Sequence, residues 1–227
     1  MSGLHIVHKR NFHAIRWIVA LVLFAAALVY VYFGVRWYNT GELSPLPMPV
    51  SAADASINET PVTDKQIKEH KVPAGNPKYL EIPTLGISSA RITAVGVTSN
   101  NMLDVPKTLD DTGWYTKSAT PGSGVGAVVI DGHNGGISRN GIFAGLDKLK
   151  KGDQISIERG DGKRFTYEVY DVRDMPLEWV NKAGMKEMMY SVEPDKEGLS
   201  LITCSGRWVP KDKVFDRRIL VRATIVE

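Results

Sequence analysis

Three side chains in the C-terminal half of this sequence are suited in type and spacing to acyl-transfer chemistry. The first is Cys204, the only cysteine among 227 residues. It closes the run Leu199-Ser200-Leu201-Ile202-Thr203-Cys204, just before Ser205-Gly206. Side chains alternate across a strand, so Leu199, Leu201 and Thr203 share one face and Ser200, Ile202 and Cys204 the other. The leucines point into a core, and the thiol sits on the opposite face at the rim of a sheet, placed to react. The second is His133, which ends the apolar run Val128-Val129-Ile130-Asp131-Gly132 and opens the loop His133-Asn134-Gly135-Gly136. His5, His8 and His13 precede a long apolar stretch, and His70 falls in a polar tract where solvation is expected. That leaves His133 to partner Cys204 in acid–base chemistry. The third is an arginine of the last strand. Ile219, Val221, Ala223 and Ile225 form its inward set, whereas Arg218, Leu220, Arg222 and Thr224 face out. Arg217 would share the inward face, where an unpaired guanidinium is very costly. Arg218 and Arg222 both face out, and a solvated or paired surface charge is the plain reading of Arg217 and Arg222.

Together such groups attack a carbonyl. A thiolate is the working nucleophile, and an unperturbed cysteine ionises near pH ~8.5. A nearby imidazole can take its proton and later return it to a leaving amine. A guanidinium or a backbone N–H can meet the oxyanion. Burial pushes the other way, towards neutral thiol and neutral imidazole.

The elements that must hold these residues follow from the rest of the chain. A net charge of +3 argues against a nucleic-acid protein. One cysteine excludes an internal disulfide framework and a Cys-x-x-Cys site. Trp17 to Val35 is almost unbrokenly apolar, long enough for a membrane-spanning helix of ~20 residues. Lys9, Arg10 and Arg16 precede it and no acidic residue occurs before Glu42, which predicts a cytoplasmic N-terminus and an extracellular remainder. A cleaved signal would be shorter and would end in a small-x-small site, whereas Ala25-Ala26-Ala27 lies in mid-span. The proline-punctuated polar tract that follows lacks apolar periodicity, apart from a helical turn near Thr63 to His70, and is expected to be a tether. The expected division is residues 1–16 in the cytoplasm, 17–36 as anchor, 37–77 as extracellular linker and 78–227 as the catalytic domain.

From Lys78 onward, short runs rich in Val, Ile, Tyr and Thr alternate with turns. YLEIPTLGI, ARITAVGV, GAVVIDGH, DQISIER, RFTYEVYDV, LSLITC and RILVRATIV are predicted strands. Arg159-Gly160-Asp161-Gly162-Lys163 is a hairpin turn and lacks the ligand spacing of a calcium loop. Short helices are predicted around Ile142–Lys150 and Asn181–Tyr190. Roughly eight strands suggest a closed barrel or a sandwich, between which periodicity does not choose.

The run S-L-I-T-C resembles the T-L-x-T-C motif of sortases, the cysteine transpeptidases of Gram-positive-type cell surfaces. Other pieces follow in that family's order. Gly113-Trp114-Tyr115, then Pro121-Gly122, then the apolar strand ending Gly132-His133 are similar to its G-W-Y, P-G and G-H elements. Phe143 to Leu149, with Gly152-Asp153 beyond, resembles its F-x-x-L-x-x-L and G-D elements. The likeness covers Tyr79 to Val226, and the family's arginine before I/L-x-V-x-A/G matches Arg218. The resemblance implies an all-β, eight-stranded barrel with short helices behind one transmembrane helix. It implies that Cys204, His133 and Arg218 are catalytic. Thr203, Ser200, Leu177, Trp179, Val180 and Met188 would then touch the substrate, although the last four either contact it or simply pack. The implied reaction is a thiol-peptidase cut within the C-terminal sorting signal of a surface protein, through a thioester, followed by transfer to an amine of the cell wall or a pilin. No cofactor is implied, and calcium dependence stays open. Papain-like proteases and L,D-transpeptidases carry different motifs, Cys-Trp or His-Gly-Cys, which do not occur here. The alternative is a non-catalytic, membrane-tethered β-domain with Cys204 as a bystander.

Overall fold

The computed structural model describes residues 12–47, 57–99 and 102–226. The expected cytoplasmic segment lies outside the described residues up to residue 11, as does the stretch 48–56 of the expected linker.

Helix α1 runs Phe12–Thr40, and its Ala14–Thr40 part is long and apolar enough to cross a membrane. It stops at Gly41, whose left-handed backbone (φ 66°) lets its N–H reach the Trp37 carbonyl at 2.8 Å. The barrel is a separate compact unit. Its strands are β1 (Pro77–Ile82), β2 (Ile87–Val95), β3 (Thr112–Tyr115), β4 (Ala127–Gly132), β5 (Gln154–Arg159), β6 (Arg164–Pro176), β7 (Gly198–Val209) and β8 (Val214–Ile225). They close in the order β1-β2-β3-β4-β7-β8-β6-β5. The barrel, not the sandwich, is therefore the architecture. The pairs β2–β3 and β4–β7 are parallel, and β1–β2, β3–β4, β1–β5, β5–β6 and β6–β8 are antiparallel.

Alternation places the core. Val128 and Ile130 of β4, Leu199 and Leu201 of β7, and Ile219 and Val221 of β8 point inside. Val129, Ile202 and Leu220 of the same strands point outside, into a second apolar cluster with Val180 and Met188. Those two residues come from a helical segment made of α3 (Leu177–Trp179), a π-helical turn at Val180–Gly184 and α4 (Met185–Met188).

The structure revises several local expectations. The run YLEIPTLGI is broken by a 3₁₀ turn at Pro83–Leu85 and by Gly86 (φ 69°), so Ile87 already belongs to β2. β3 was not among the predicted strands; at four residues it is too short to show alternation. The helix expected at Ile142–Lys150 shrinks to a 3₁₀ turn, Leu146–Lys148, because its buried residues Phe143, Leu146 and Leu149 recur every third position. The polar tract is not free chain from Ile57 on. Thr63 and Gln66 form a capping box for helix α2 (Asp64–Lys68). Asn58 bridges to Thr108. His70 is half-buried rather than solvated, with Nε2 3.0 Å from the Ile92 carbonyl, and burial lowers its pKa.

Candidate active site

The outer apolar cluster ends at a polar rim, and the next outward residue on each of three neighbouring strands is Asp131, Cys204 or Arg218. On β4 the outward series is Val129, then Asp131; on β7 it is Ser200, Ile202, then Cys204; on β8 it is Leu220, then Arg218. Asp131 pairs with Ile202 across the parallel β4–β7 ladder. Continuing that register sets Gly132 beside Thr203 and His133 beside Cys204. The Thr203 hydroxyl fixes it by donating to the Gly132 carbonyl at 2.7 Å, a buried bond between residues 71 apart in sequence.

Cys204 is partly exposed as a residue, yet its sulfur lies largely out of water. Burial pushes the thiol up from its ordinary pKa, the Arg218 charge pulls it part of the way back, and the Asp131 carboxyl adds to the rise. Burial and Asp131 thus favour the protonated thiol, and Arg218 favours the thiolate. Among the described residues no hydrogen bond joins it to His133 or Arg218.

His133 leaves β4 at its last residue and enters a loop pinned by backbone contacts. Its carbonyl accepts the Phe143 N–H at 2.9 Å, and its Nε2 lies 2.7 Å from the Pro106 carbonyl. A carbonyl only accepts, so Nε2 carries the proton and the neutral ring leaves Nδ1 as its acceptor. The chain returns past His133 so closely that a Cβ at Gly141 would stand 2.3 Å from the His133 carbonyl oxygen.

The two neighbouring arginines differ in what holds them. Arg217 donates to the Asp174 carboxylate at 2.9 Å and to its carbonyl at 2.7 Å. Arg222 is held by Asp171 at 2.7 Å and Glu187 at 2.6 Å. Arg218 spends Nη1 on the Phe215 and Arg217 carbonyls, at 2.9 and 2.8 Å, and among the described residues no carboxylate pairs with it. Its charge stays available to the sulfur.

The expected substrate contacts divide. Ser200, Thr203 and Val180 are 1, 4 and 2% exposed, which makes them packing and positioning groups rather than an open surface. Met188 is fully buried in the outer cluster. Leu177 and Trp179 are half-buried, and the Arg173 guanidinium lies 5.5 Å from the Trp179 ring centre. A cleft of about 350 Å³ lies along residues 58–66 and another of about 400 Å³ lies mainly against residues 85–91, and neither is lined by Cys204, His133 or Arg218. Asp131 is not among the candidate residues the sequence points to, although a signal is there: it stands two residues before His133, at the end of β4.

A closed β-barrel with a thiol on its outer rim, a guanidinium whose charge acts on that thiol, and an imidazole just past the end of the neighbouring strand defines the class. The chain belongs to the sortase family, the cysteine transpeptidases: the Sortase domain model matches residues 80–226. Among solved structures it is similar to sortase C2 of group B Streptococcus pilus island 1, at 18% identity over 74% of this chain and 83% of that one, with a TM-score of 0.50. It is also similar to the SrtA sortase of Actinomyces oris (24% identity, 69% and 83% covered, TM-score 0.48) and to sortase C of Clostridium perfringens SM101 (20%, 74% and 78%, TM-score 0.46). No curated protein matches the sequence.

Proposed function

We propose that this sortase is anchored by α1 with its N-terminus in the cytoplasm and its barrel outside, and that it cuts a sorting signal and joins the acyl part to an amine. The observation that supports this reading is the β4–β7 register, which if continued two residues sets His133 beside Cys204, together with the Arg218 charge acting on the sulfur from β8 on the other side.

His133 Nδ1 takes the Cys204 proton as the sulfur attacks the scissile carbonyl. Arg218 faces the oxyanion; loss of such a donor costs on the order of 3 kcal/mol in the barrier. As the C–N bond breaks, the imidazolium returns the proton to the departing amine and a thioester remains. An incoming amine attacks the thioester and gives a proton to His133; the C–S bond breaks, the imidazolium returns that proton to the departing sulfur, and an amide and the free thiol remain. Leu177 and Trp179, the half-exposed members of the helical segment, are the substrate contacts of this reading. A substrate held in the same membrane would share a two-dimensional search with the enzyme, raising its effective concentration.

The test is to incubate the protein with a library of sorting-signal peptides and an amine acceptor, and to weigh the products. Cleaved and amine-joined peptides are expected, and none with Cys204→Ala. Products that persist in Cys204→Ala, or no product from any peptide, overturn the reading.

A further inference from the structure

One side chain beside Cys204 has no part in that mechanism. Asp131 is 4% exposed, and its Oδ1 is buried without a hydrogen-bond partner among the described residues. A buried, unpaired carboxyl oxygen is expensive, and each instance calls for a reason. The neighbouring strand is cut to admit it. Gly113 of β3 pairs with Asp131, and a Cβ at that position would stand 2.2 Å from Oδ1. On the other side Asp131 pairs with Ile202, two residues before the thiol.

We propose that Asp131 is a positioning residue for Cys204: its carboxyl group, seated against Gly113, is the part of the site wall whose charge decides how readily the sulfur becomes a thiolate. This rests on the reading of Cys204 as the nucleophile.

The charged and titratable groups around it are few. Cys204 faces it from β7 and Asp104 from the β2–β3 loop. Arg218 of β8 acts on the same sulfur with the opposite sign, and His133 follows two residues along. Burial, reinforced by Asp104, pushes the Asp131 carboxyl well above the ordinary carboxylate range. While it keeps its proton it opposes the thiolate little. Once it ionises, a second negative charge stands beside the sulfur, answered by Arg218. The two acids therefore titrate against each other. Thiolate formation is thereby displaced to higher pH by a charge other than that of His133.

The experiment is alkylation of Cys204 by iodoacetamide across a pH series, alongside peptide cleavage. Asp131→Asn keeps the shape and cannot ionise. It is expected to move the alkylation midpoint down by about one pH unit, as removal of an adjacent like charge does. Where Asp131 is ionised and the wild-type thiol is not, it should raise cleavage by up to about tenfold over wild type, and where Asp131 is protonated it should leave cleavage within about threefold. Asp131→Ser, also neutral, should shift the midpoint the same way. A folded neutral variant with an unmoved midpoint overturns the proposal. The unmodified protein gives a check that needs no variant. The carbon-13 carboxyl shift of Asp131 should titrate well above the ordinary aspartate value of ~3.9, and titration at that value overturns the proposal. Alkylation needs no substrate, so the two readings fail separately. A shifted midpoint in a protein that cleaves no peptide sinks the transpeptidase reading and leaves the coupling. Cleavage with an unmoved midpoint sinks the coupling alone.

Discussion

Cys204 lies on β7 and His133 just past the end of the neighbouring strand β4, and the two are held in place by opposite means. The sulfur rides on β7, whose neighbours Leu199, Leu201 and Ile202 are buried in two apolar clusters. The imidazole opens a loop held by specific polar atoms. Glu59, from the segment before the barrel, accepts the Ile137 N–H, the Ser138 hydroxyl and, at 3.0 Å, the Ser138 N–H. Arg139 donates to the Glu59 carbonyl at 2.7 Å and forks onto Asp110 at 2.7 and 3.0 Å. Apolar burial is non-directional and shared among many contacts, so the thiol side tolerates small shifts. A polar clamp acts through a few angles and distances, so the imidazole side depends on single atoms. Changes to the apolar residues that hold Cys204 should therefore register as stability, and changes to the polar groups that hold the His133 loop as rate.

The largest contrast comes from Leu201→Ala. It empties a fully buried site and should cost about 2–5 kcal/mol, read as a lower urea midpoint, with cleavage per folded molecule unchanged. A rate loss larger than the folded fraction explains would break the division. Arg218→Gln is expected to lower kcat/KM by about 100- to 1,000-fold with little change in melting temperature, whereas Arg217→Gln, whose charge is already held by Asp174, should lower it less than about tenfold. Equal losses would mean that the unpaired arginine is not the one in use. Arg139→Gln releases the Asp110 fork, and about a tenfold loss in kcat is expected with a melting temperature lowered by only a few degrees. The smallest effect is a difference in acid sensitivity. Burial pushes the Asp110 carboxyl up, but the Arg139 fork and the Val62 N–H outweigh it and hold it below its ordinary value. A carboxyl lowered in the folded state contributes stability above its unfolded pKa of ~3.9 and loses it as pH falls through the folded value. Amide exchange measured at about pH 5 and about pH 3 should show residues 134–141 losing protection before residues 199–204.

The same contrast governs how much could be read from the sequence. Strands β7 and β8 announce themselves by alternation, as do the residues they carry outward, Cys204 and Arg218, and β4 announces itself by a short unbroken apolar run. The barrel itself was not in the alternation, because closure depends on which strands pair and not on which residues face in. It came from the order of the family-like pieces. Asp131 was hidden by its type, since an aspartate at a strand end is usually solvated, and only the fit against Gly113 shows it buried. Glu59 was hidden by its context. A proline-rich polar tract carries no apolar stripe, and its docking onto the His133 loop runs through backbone amides and hydroxyls that no periodicity marks. Ser200, Thr203 and Val180 were legible as neighbours of the site, but their burial depended on the outer cluster and on a helical segment whose π turn has no sequence signature.

The parallel pairing of β4 with β7 bears on how the protein comes of age. Two parallel neighbours cannot be joined by a tight turn. Here the chain must first lay down β5, β6 and the helical segment before β7 can slot in beside β4. Contacts of such long sequence separation form late, because loop closure has to precede them. A newly emerged or half-assembled chain thus holds sulfur and imidazole apart, and any chemistry that needs both stays silent until maturation is complete.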